Sequence, residues 1–412
     1  MMVHFRKRLS GNILKEVNAL IIERSKADDE GRDDGDEGKG VGEANLAAYS
    51  CLNERKGSSP GTPRRGKMVS SKGYLQWLSE STKTHWWCDS GTPSEIDYAL
   101  QHGAVGITTN PPLSATAISL KPEMWRAQIE DIIKSNPDPG SKAEALVHLV
   151  VTEGAKKLSP IFLRSSKERG YICAQVDPSK AGNRDDMRAM AKRFSEWAPN
   201  ISVKLPVTSA GLDILEECAA EGISVTGTVS FSVAQMLAVA EAYQRGSQKA
   251  IKNGKKVAPC NAVLMIGRID DYLTEVATDN ESKVTSSDLK KAGLAIAKRA
   301  YSLFVERGYK ARILIAAMRG TYHVTELAGA DLTLSIQPKY QHELIEHDPP
   351  KAENYSIPVE SSVLERLFTI KEFVRAYEPD ALDPSEFISF GVTQRTLSQF
   401  IETGWKRLES MC

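Results

Sequence analysis

Two textures alternate along the chain from about residue 80. Runs of strand length, apolar throughout or at every second position, read HWWCD (85–89), AVGITT (104–109), YICAQVD (171–177), ISVKLPV (201–207), GISVTGT (222–228), NAVLMIG (261–267), ARILIAAM (311–318) and DLTLSI (331–336). Between them, segments at 93–102, 184–197, 208–220, 232–250, 288–307 and 320–328 carry the apolar recurrence that lets a helix bury one face. A repeated strand–helix order of this length suits a closed (β/α)8 barrel; an open doubly wound sheet rarely needs so many strands. The pattern therefore predicts an α/β fold, a TIM barrel over about 80–345. The insert at 111–168 predicts two or three extra helices after the second strand. Beyond about 358, Val363, Leu364, Leu367, Phe368 and Ile370 recur at helical spacing, and RTLSQFIETGWKRL (395–408) is amphipathic. Residues 346–412 thus read as a helical extension packed on the barrel, with a role as lid open to it.

The first 79 residues have a different texture and read as a mostly disordered extension. A short helix is predicted at 10–25 from Ile13, Val17, Leu20 and Ile21. Residues 26–45 are charged and Gly-rich, and 53–72 are Gly/Ser/Pro-rich and basic. Neither buries enough apolar surface to offset the entropy of ordering it. The basic, amphipathic start resembles an organellar presequence only in part, because an acidic run follows it closely.

Composition narrows the function classes. The chain has 412 residues, and its 53 Lys and Arg balance 53 Asp and Glu, so no net field favours a nucleic acid. No stretch approaches the ~18 apolar residues that would span a bilayer. Cysteines at 51, 88, 173, 218, 260 and 412 have no paired short spacing, and no HExxH occurs among the seven histidines. Reduced thiols, a cytoplasmic location and no metal are the expectation. Assembly into a homo-oligomer is left open.

Strand alternation then singles out chemistry. In ISVKL, Ile201, Val203 and Leu205 form one face, which should meet the helices and turn Ser202 and Lys204 into the lumen. The same logic turns Cys173, Gln175 and Asp177 inward, and groups Ser224, Thr226 and Thr228. It also sets His85, Trp87 and Asp89 on one side of the first strand. An isolated lysine in an apolar strand is ordinarily an edge gatekeeper or a snorkelling side chain. A barrel has no edge, and a desolvated lysine is partly neutral and can attack a carbonyl. Asp89 is the candidate proton shuttle; the competing reading makes it a salt-bridge partner or the cap of the helix starting near Ser94. Pattern alone reaches a barrel with a buried lysine and a carboxylate.

These residues also resemble the transaldolase family, from about 84 to 345. GITTNPPL (106–113) is similar to the signature after the family's second strand, CDSG (88–91) to the turn ending its first, and SVKLPVTSAGL (202–212) to its Schiff-base lysine segment. GISVTGTVSFS (222–232), GRIDDYL (267–273) and AAMRGTYHVTELAGADLTLSIQP (316–338) resemble the later signatures. The resemblance implies Lys204 as the imine-forming lysine, Asp89 as the proton-transfer aspartate and Thr228 as a holder of catalytic water. It implies that Asn110 contacts substrate, and that Arg268 and Arg319 bind its phosphate. It further implies transfer of a dihydroxyacetone unit between sugar phosphates, in the pentose phosphate pathway, with no cofactor.

The chain departs from the pattern at three places. Gln175 stands where the family has a water-activating glutamate, and an amide cannot accept a proton as a base. Thr226 replaces a substrate-contacting asparagine, and Ala317 replaces a serine. These changes keep two alternatives in view: a Schiff-base aldolase acting on a different or non-phosphorylated carbonyl compound, and a barrel that binds without catalysing.

Overall fold

In the computed structural model, which describes residues 72–411, eight parallel strands close into a barrel in sequence order. They are β1 (His85–Asp89), β2 (Ile107–Thr108), β3 (Ile172–Gln175), β4 (Ile201–Pro206), β5 (Val225–Thr228), β6 (Cys260–Met265), β7 (Arg312–Ala316) and β8 (Thr333–Ile336). Closure comes from β8 pairing with β1, with Trp87 opposite Ser335. The helix expected at 10–25 and nearly all of the N-terminal extension lie outside the described residues.

Alternation sorts the strands as the sequence predicts. Ile172, Ala174, Val203, Leu205 and Val225 are buried in the layer between strands and helices. Cys173, Gln175, Ser202, Lys204, Thr226 and Ser335 are buried as well, on the alternate side of their strands. Only two residues of the 104–109 run count as strand. Its ladder continues through Val105, whose N–H donates to Trp86, and Gly106, whose carbonyl accepts from Cys88.

Three helical expectations need correction. The run 261–267 is strand only to Met265; a helix, Ile266–Asp279, follows at once and buries Ile266, Ile269, Leu273 and Ala277. The segment 288–307 divides into Ser286–Leu289, started by a Thr285–Asp288 capping box, and Ala292–Glu306. The segment 320–328 shrinks to one turn, Tyr322–Thr325, between Gly320 and Gly329. Two further helices were not expected, Tyr74–Ser81 and Pro338–His347. Tyr74–Ser81 falls within the N-terminal extension, yet buries Tyr74, Leu75 and Leu78; it packs on Pro338–His347. The insert supplies three helices, Pro111–Leu120, Pro122–Ser135 and Pro139–Arg164. Among the described residues no helix is long and apolar enough to cross a membrane.

The C-terminal segment folds as helices Ser361–Leu367, Lys371–Tyr377 and Gly391–Phe400. The last continues through a π-turn, Ile401–Trp405, into Lys406–Glu409. It is fastened at Gly404, where a Cβ would lie 2.4 Å from Pro112 Cδ and 2.5 Å from Pro112 N. Because Pro112 opens the helix after β2, the extension rests directly on the GITTNPPL segment. Gly404→Ala should therefore destabilise the fold by about 1–3 kcal/mol through overpacking. Gly73→Ala, where a Cβ meets nothing within 4 Å, is the control expected to stay within about 0.5 kcal/mol. Urea titrations of the two variants check both values.

Candidate active site

The site starts from Lys204. Strand β4 carries it into the lumen, where it is buried and donates from Nζ to the Thr109 carbonyl at 2.9 Å. Burial lowers its pKa from the ordinary lysine value; nearby Cys173 and Asp89 act in the opposite direction, and the Arg268 charge adds to the lowering. Asp89 closes β1 and accepts from Thr108 Oγ1 at 2.7 Å, and that hydroxyl lies 2.5 Å from Ser335 Oγ. Part of Asp89 stays accessible, yet burial is the largest influence and raises its pKa, against Thr108 and the Lys204 charge. Amine and carboxyl are thus both pushed toward their neutral forms.

The cap reading of Asp89 does not hold. Thr92 is the cap position of the helix Pro93–Gln101, and the Thr92 N–H is bonded by Ser90 Oγ at 3.0 Å. Nor is Asp89 directly ion-paired: Lys204 and Asp89 feel each other through space, each with its own neutral partner from the Thr108–Thr109 dipeptide.

Register sets Gln175 beside Lys204 on one side and Thr226 on the other. Gln175 and Thr228 are both buried, and neither the Gln175 Oε1 and Nε2 nor the Thr228 Oγ1 has a hydrogen-bond partner. Unpaired polar atoms in a protein interior are costly, and such a group beside a lysine marks a place for a polar ligand or water. Thr226 has no such freedom. Its hydroxyl lies 2.8 Å from Ser202 Oγ and 3.2 Å from Asn261 Nδ2, and also takes the Cys173 thiol. It belongs to a buried hydroxyl layer of the barrel. Asn110 Oδ1 is also occupied, accepting the Leu113 N–H at 2.9 Å as the cap of Pro111–Leu120.

After Thr228 the chain turns through Val229, held at φ 56°, a left-handed conformation that a β-branched side chain strongly resists. Buried Gln235 fixes the turn, accepting from Phe231 N at 2.9 Å and donating to the Val229 carbonyl at 3.3 Å.

Arg268 and Arg319 meet at a cavity of about 200 Å³ that is also lined by Asp271, Arg395 and Gln399. Arg268 Nη1 donates to Gln399 Oε1 at 2.5 Å, its guanidinium stacks 5.1 Å from the Phe400 ring, and its buried Nε has no partner. Burial, with Arg319 nearby, pushes its pKa down to about 10. Arg319 is committed to Asp271 at 2.6–3.1 Å and to the carbonyls of Ala317 and Met318. Its loop is braced from behind by buried His323, which accepts the Arg319 N–H at 3.2 Å and stands 3.1 Å from Asp270. Among the described residues no cluster of His, Cys, Asp and Glu is placed to hold a metal.

The structure thus gathers Lys204, Asp89, Gln175 and Thr228 around one part of the lumen, and Arg268 and Arg319 around a second. Sequence reasoning missed Thr108, Thr109 and Ser335, although all three stand inside segments singled out by their pattern. It also missed Arg395 and Gln399, whose only signal is a shared helix face.

A sequence profile of the transaldolase/fructose-6-phosphate aldolase family matches residues 86–380, well over half of the chain. Among individual proteins, a transaldolase of Thiobacillus denitrificans is 28% identical over 301 residues, covering 67% of this chain and 82% of that protein. Transaldolases of Kocuria rhizophila and Saccharopolyspora erythraea are 29% identical over 240 residues and 30% identical over 250, covering 57% and 58% of this chain. In both cases the match spans 64% of the relative, a little under two thirds of its length.

Lys204 also gives a stability test. Its folded pKa is depressed, so the protonated amine opposes folding, and that penalty disappears as pH rises through the folded value toward the ordinary 10.5. Lys204→Met, similar in length and uncharged, should raise the melting temperature at neutral pH, and the gap should narrow as pH approaches 10. Calorimetry across pH 6–10 checks both parts. A variant that melts lower than the native protein throughout would show that the ammonium is fully compensated.

Proposed function

The chain belongs to the transaldolase/fructose-6-phosphate aldolase family, and we propose that it transfers a three-carbon dihydroxyacetone unit between sugar phosphates through an imine on Lys204. The observation that carries this reading is the buried Lys204, its pKa lowered, with the unpaired Gln175 amide beside it in register and the unpaired Thr228 hydroxyl on the next strand. A neutral amine is the nucleophile that imine formation requires.

In this scheme Lys204 adds to the ketose carbonyl, and loss of water gives the imine. Asp89, its pKa raised by burial, takes the proton from the hydroxyl next to the bond being cut. The electrons of that bond flow into the imine, the aldose departs, and an enamine remains on Lys204. The enamine attacks a second aldehyde, and water releases the product. Gln175 and Thr228 hold that water without acting as its base, and Asn110 offers its free Nδ2 to the substrate. Thr226 contributes through the hydroxyl layer under the lysine. Arg268, with Arg319 bracing the loop beside it, draws the phosphate end into line, where remote binding energy aligns the reacting atoms. The unpaired thiols of Cys88, Cys173, Cys218 and Cys260 suit the reducing cytoplasm.

A second reading, a Schiff-base aldolase for another carbonyl substrate, is favoured by Gln175 in place of a base and by the missing hydroxyl at Ala317. One experiment separates the two. Borohydride reduction in the presence of fructose 6-phosphate should fix a three-carbon adduct on the peptide containing Lys204, and Lys204→Met should abolish it; a persistent adduct would place the chemistry on another lysine. Turnover of fructose 6-phosphate with erythrose 4-phosphate should be slow in the native protein and faster in Gln175→Glu, because general-base help is commonly worth ~10²–10⁴ in rate. A Gln175→Glu variant slower on every ketose would favour the altered substrate. Arg268→Ala should raise KM for a phosphorylated ketose about tenfold to a hundredfold, with little change for its dephosphorylated analogue.

A further inference from the structure

The cavity around Arg268 is built in an unexpected way. Arg319 has little left to offer a ligand. Its Nε and Nη2 are taken by Asp271, and its Nη1 by two backbone carbonyls. Of five guanidinium N–H groups about one stays free, and the Asp271 carboxylate cancels the charge. Arg268 is the reverse case: it has no carboxylate partner within ion-pair distance, and its buried Nε is unpaired.

The other side of the cavity is the helix Gly391–Phe400. Val392, Arg395, Thr396 and Gln399 line the cavity at the i, i+3, i+4, i+7 spacing of one helix face. Arg395 makes a single contact, from Nη1 to Glu275, and its remaining donors are uncommitted. Thr396 is 1% exposed, and its hydroxyl makes no hydrogen bond, not even the usual one to the carbonyl a turn earlier. Gln399 Oε1 holds Arg268 at 2.5 Å. Three arginines and one aspartate give the lining two net positive charges, the complement of a phosphomonoester dianion. None of these helix residues falls within the stretch 86–380 that matches the family.

We propose that the C-terminal helix is half of the phosphate subsite: Arg395 and Thr396 grip the phosphate together with Arg268, and Gln399 positions Arg268 for it. This rests on the phosphosugar reading above. The Thr396 hydroxyl replaces the one missing at Ala317, and Arg395 takes the place that Asp271 denies to Arg319. Arg319 then becomes a positioning residue that braces the loop after β7. The Arg268 charge reaches both Asp89 and Lys204, so a ligand anchored here lies on the lysine's side of the lumen. The helix is therefore a determinant of substrate choice, selecting ketoses with a terminal phosphate.

The test uses the full chain with Arg395→Ala, Arg395→Lys, Thr396→Val and Arg319→Ala. Inorganic phosphate binding is read by calorimetry, and KM is read for a phosphorylated ketose and its dephosphorylated analogue. Arg395→Ala removes only an exposed ion pair, which contributes little to stability, so the fold should survive; circular dichroism confirms it. The expected result is a tenfold or greater loss of phosphate affinity, an equal rise in KM for the phosphorylated ketose, and no change for the analogue. Arg395→Lys should recover part of the loss, Thr396→Val should lose severalfold, and Arg319→Ala should lose less than Arg395→Ala. Native-like phosphate binding by Arg395→Ala, alongside loss in Arg319→Ala, would overturn the proposal and return the grip to Arg319. Failure of the native protein to bind phosphate would overturn it outright. If borohydride fixes no ketose while Arg395→Ala still loses phosphate, the imine reading falls and the anion grip stands.

Discussion

A closed parallel barrel sends every second side chain of every strand into a space with almost no bulk water. The rest of the site depends on that constraint. It strips solvent from the Lys204 amine and from the Asp89 carboxyl together, so each moves toward its neutral form by the same cause. In open water the two would remain a charged pair with no reason to react. The barrel keeps them out of direct contact and gives each a neutral hydrogen-bond partner from one dipeptide, Thr108 by its hydroxyl and Thr109 by its carbonyl. Short strand β2 therefore sets the spacing of the chemistry, and its helical continuation carries the surface on which the C-terminal extension rests.

The sequence made the lumen legible because alternation has a period of two and closure removes any edge. ISVKL and YICAQVD each have one apolar face, and once that face is assigned to the helices, Lys204 and Gln175 can point only inward. What stayed illegible follows from pairings that no local pattern encodes. Asp271 and Arg319 stand 48 positions apart, and nothing in either segment shows that one occupies the other. Thr226 looks as available as Thr228 on the strand, yet neighbouring Ser202 and Asn261 use its hydroxyl while Thr228 keeps its own. Asn110 carries a capping role as plain as its motif, since Pro111 and Pro112 follow it. The helix Ile266–Asp279 escaped notice because strand β6 passes into it without a turn, so Gly267 reads as a strand end. There the absent side chain matters: a Cβ on Gly267 would lie 2.5 Å from Arg319 Cγ.

The insert and the extension are additions to the barrel far apart in the chain, one after β2 and one after β8, and they converge on one rim. Pro112, at the start of the first insert helix, receives Gly404; Ser119, further along the same helix, accepts from Arg407 at 3.0 Å; and Lys142 donates to the Met411 carbonyl at 2.8 Å. The face carrying Arg395 and Gln399 is thereby fixed against the rim by one close backbone approach at Gly404 and two long-range side-chain hydrogen bonds. A helix seated in this way adds binding groups at low entropic cost, because the ordering is completed on folding rather than on binding.

The turn at Val229 carries a consequence of its own. A β-branched residue in the left-handed region costs on the order of 1–3 kcal/mol, and buried Gln235 is the clamp that keeps it there. The same turn presents the Thr228 hydroxyl, which has no hydrogen bond to hold it in place. Its orientation is inherited from a spring under tension. Every residue from Thr228 to Gln235 is buried, and the Thr228 and Ser230 carbonyls accept from Val207 and Met265, so the strain is held by the packed barrel and not by a loose surface loop. The orientation of the Thr228 hydroxyl is thus tied to the integrity of the core, because the glutamine that bends this backbone is itself part of it.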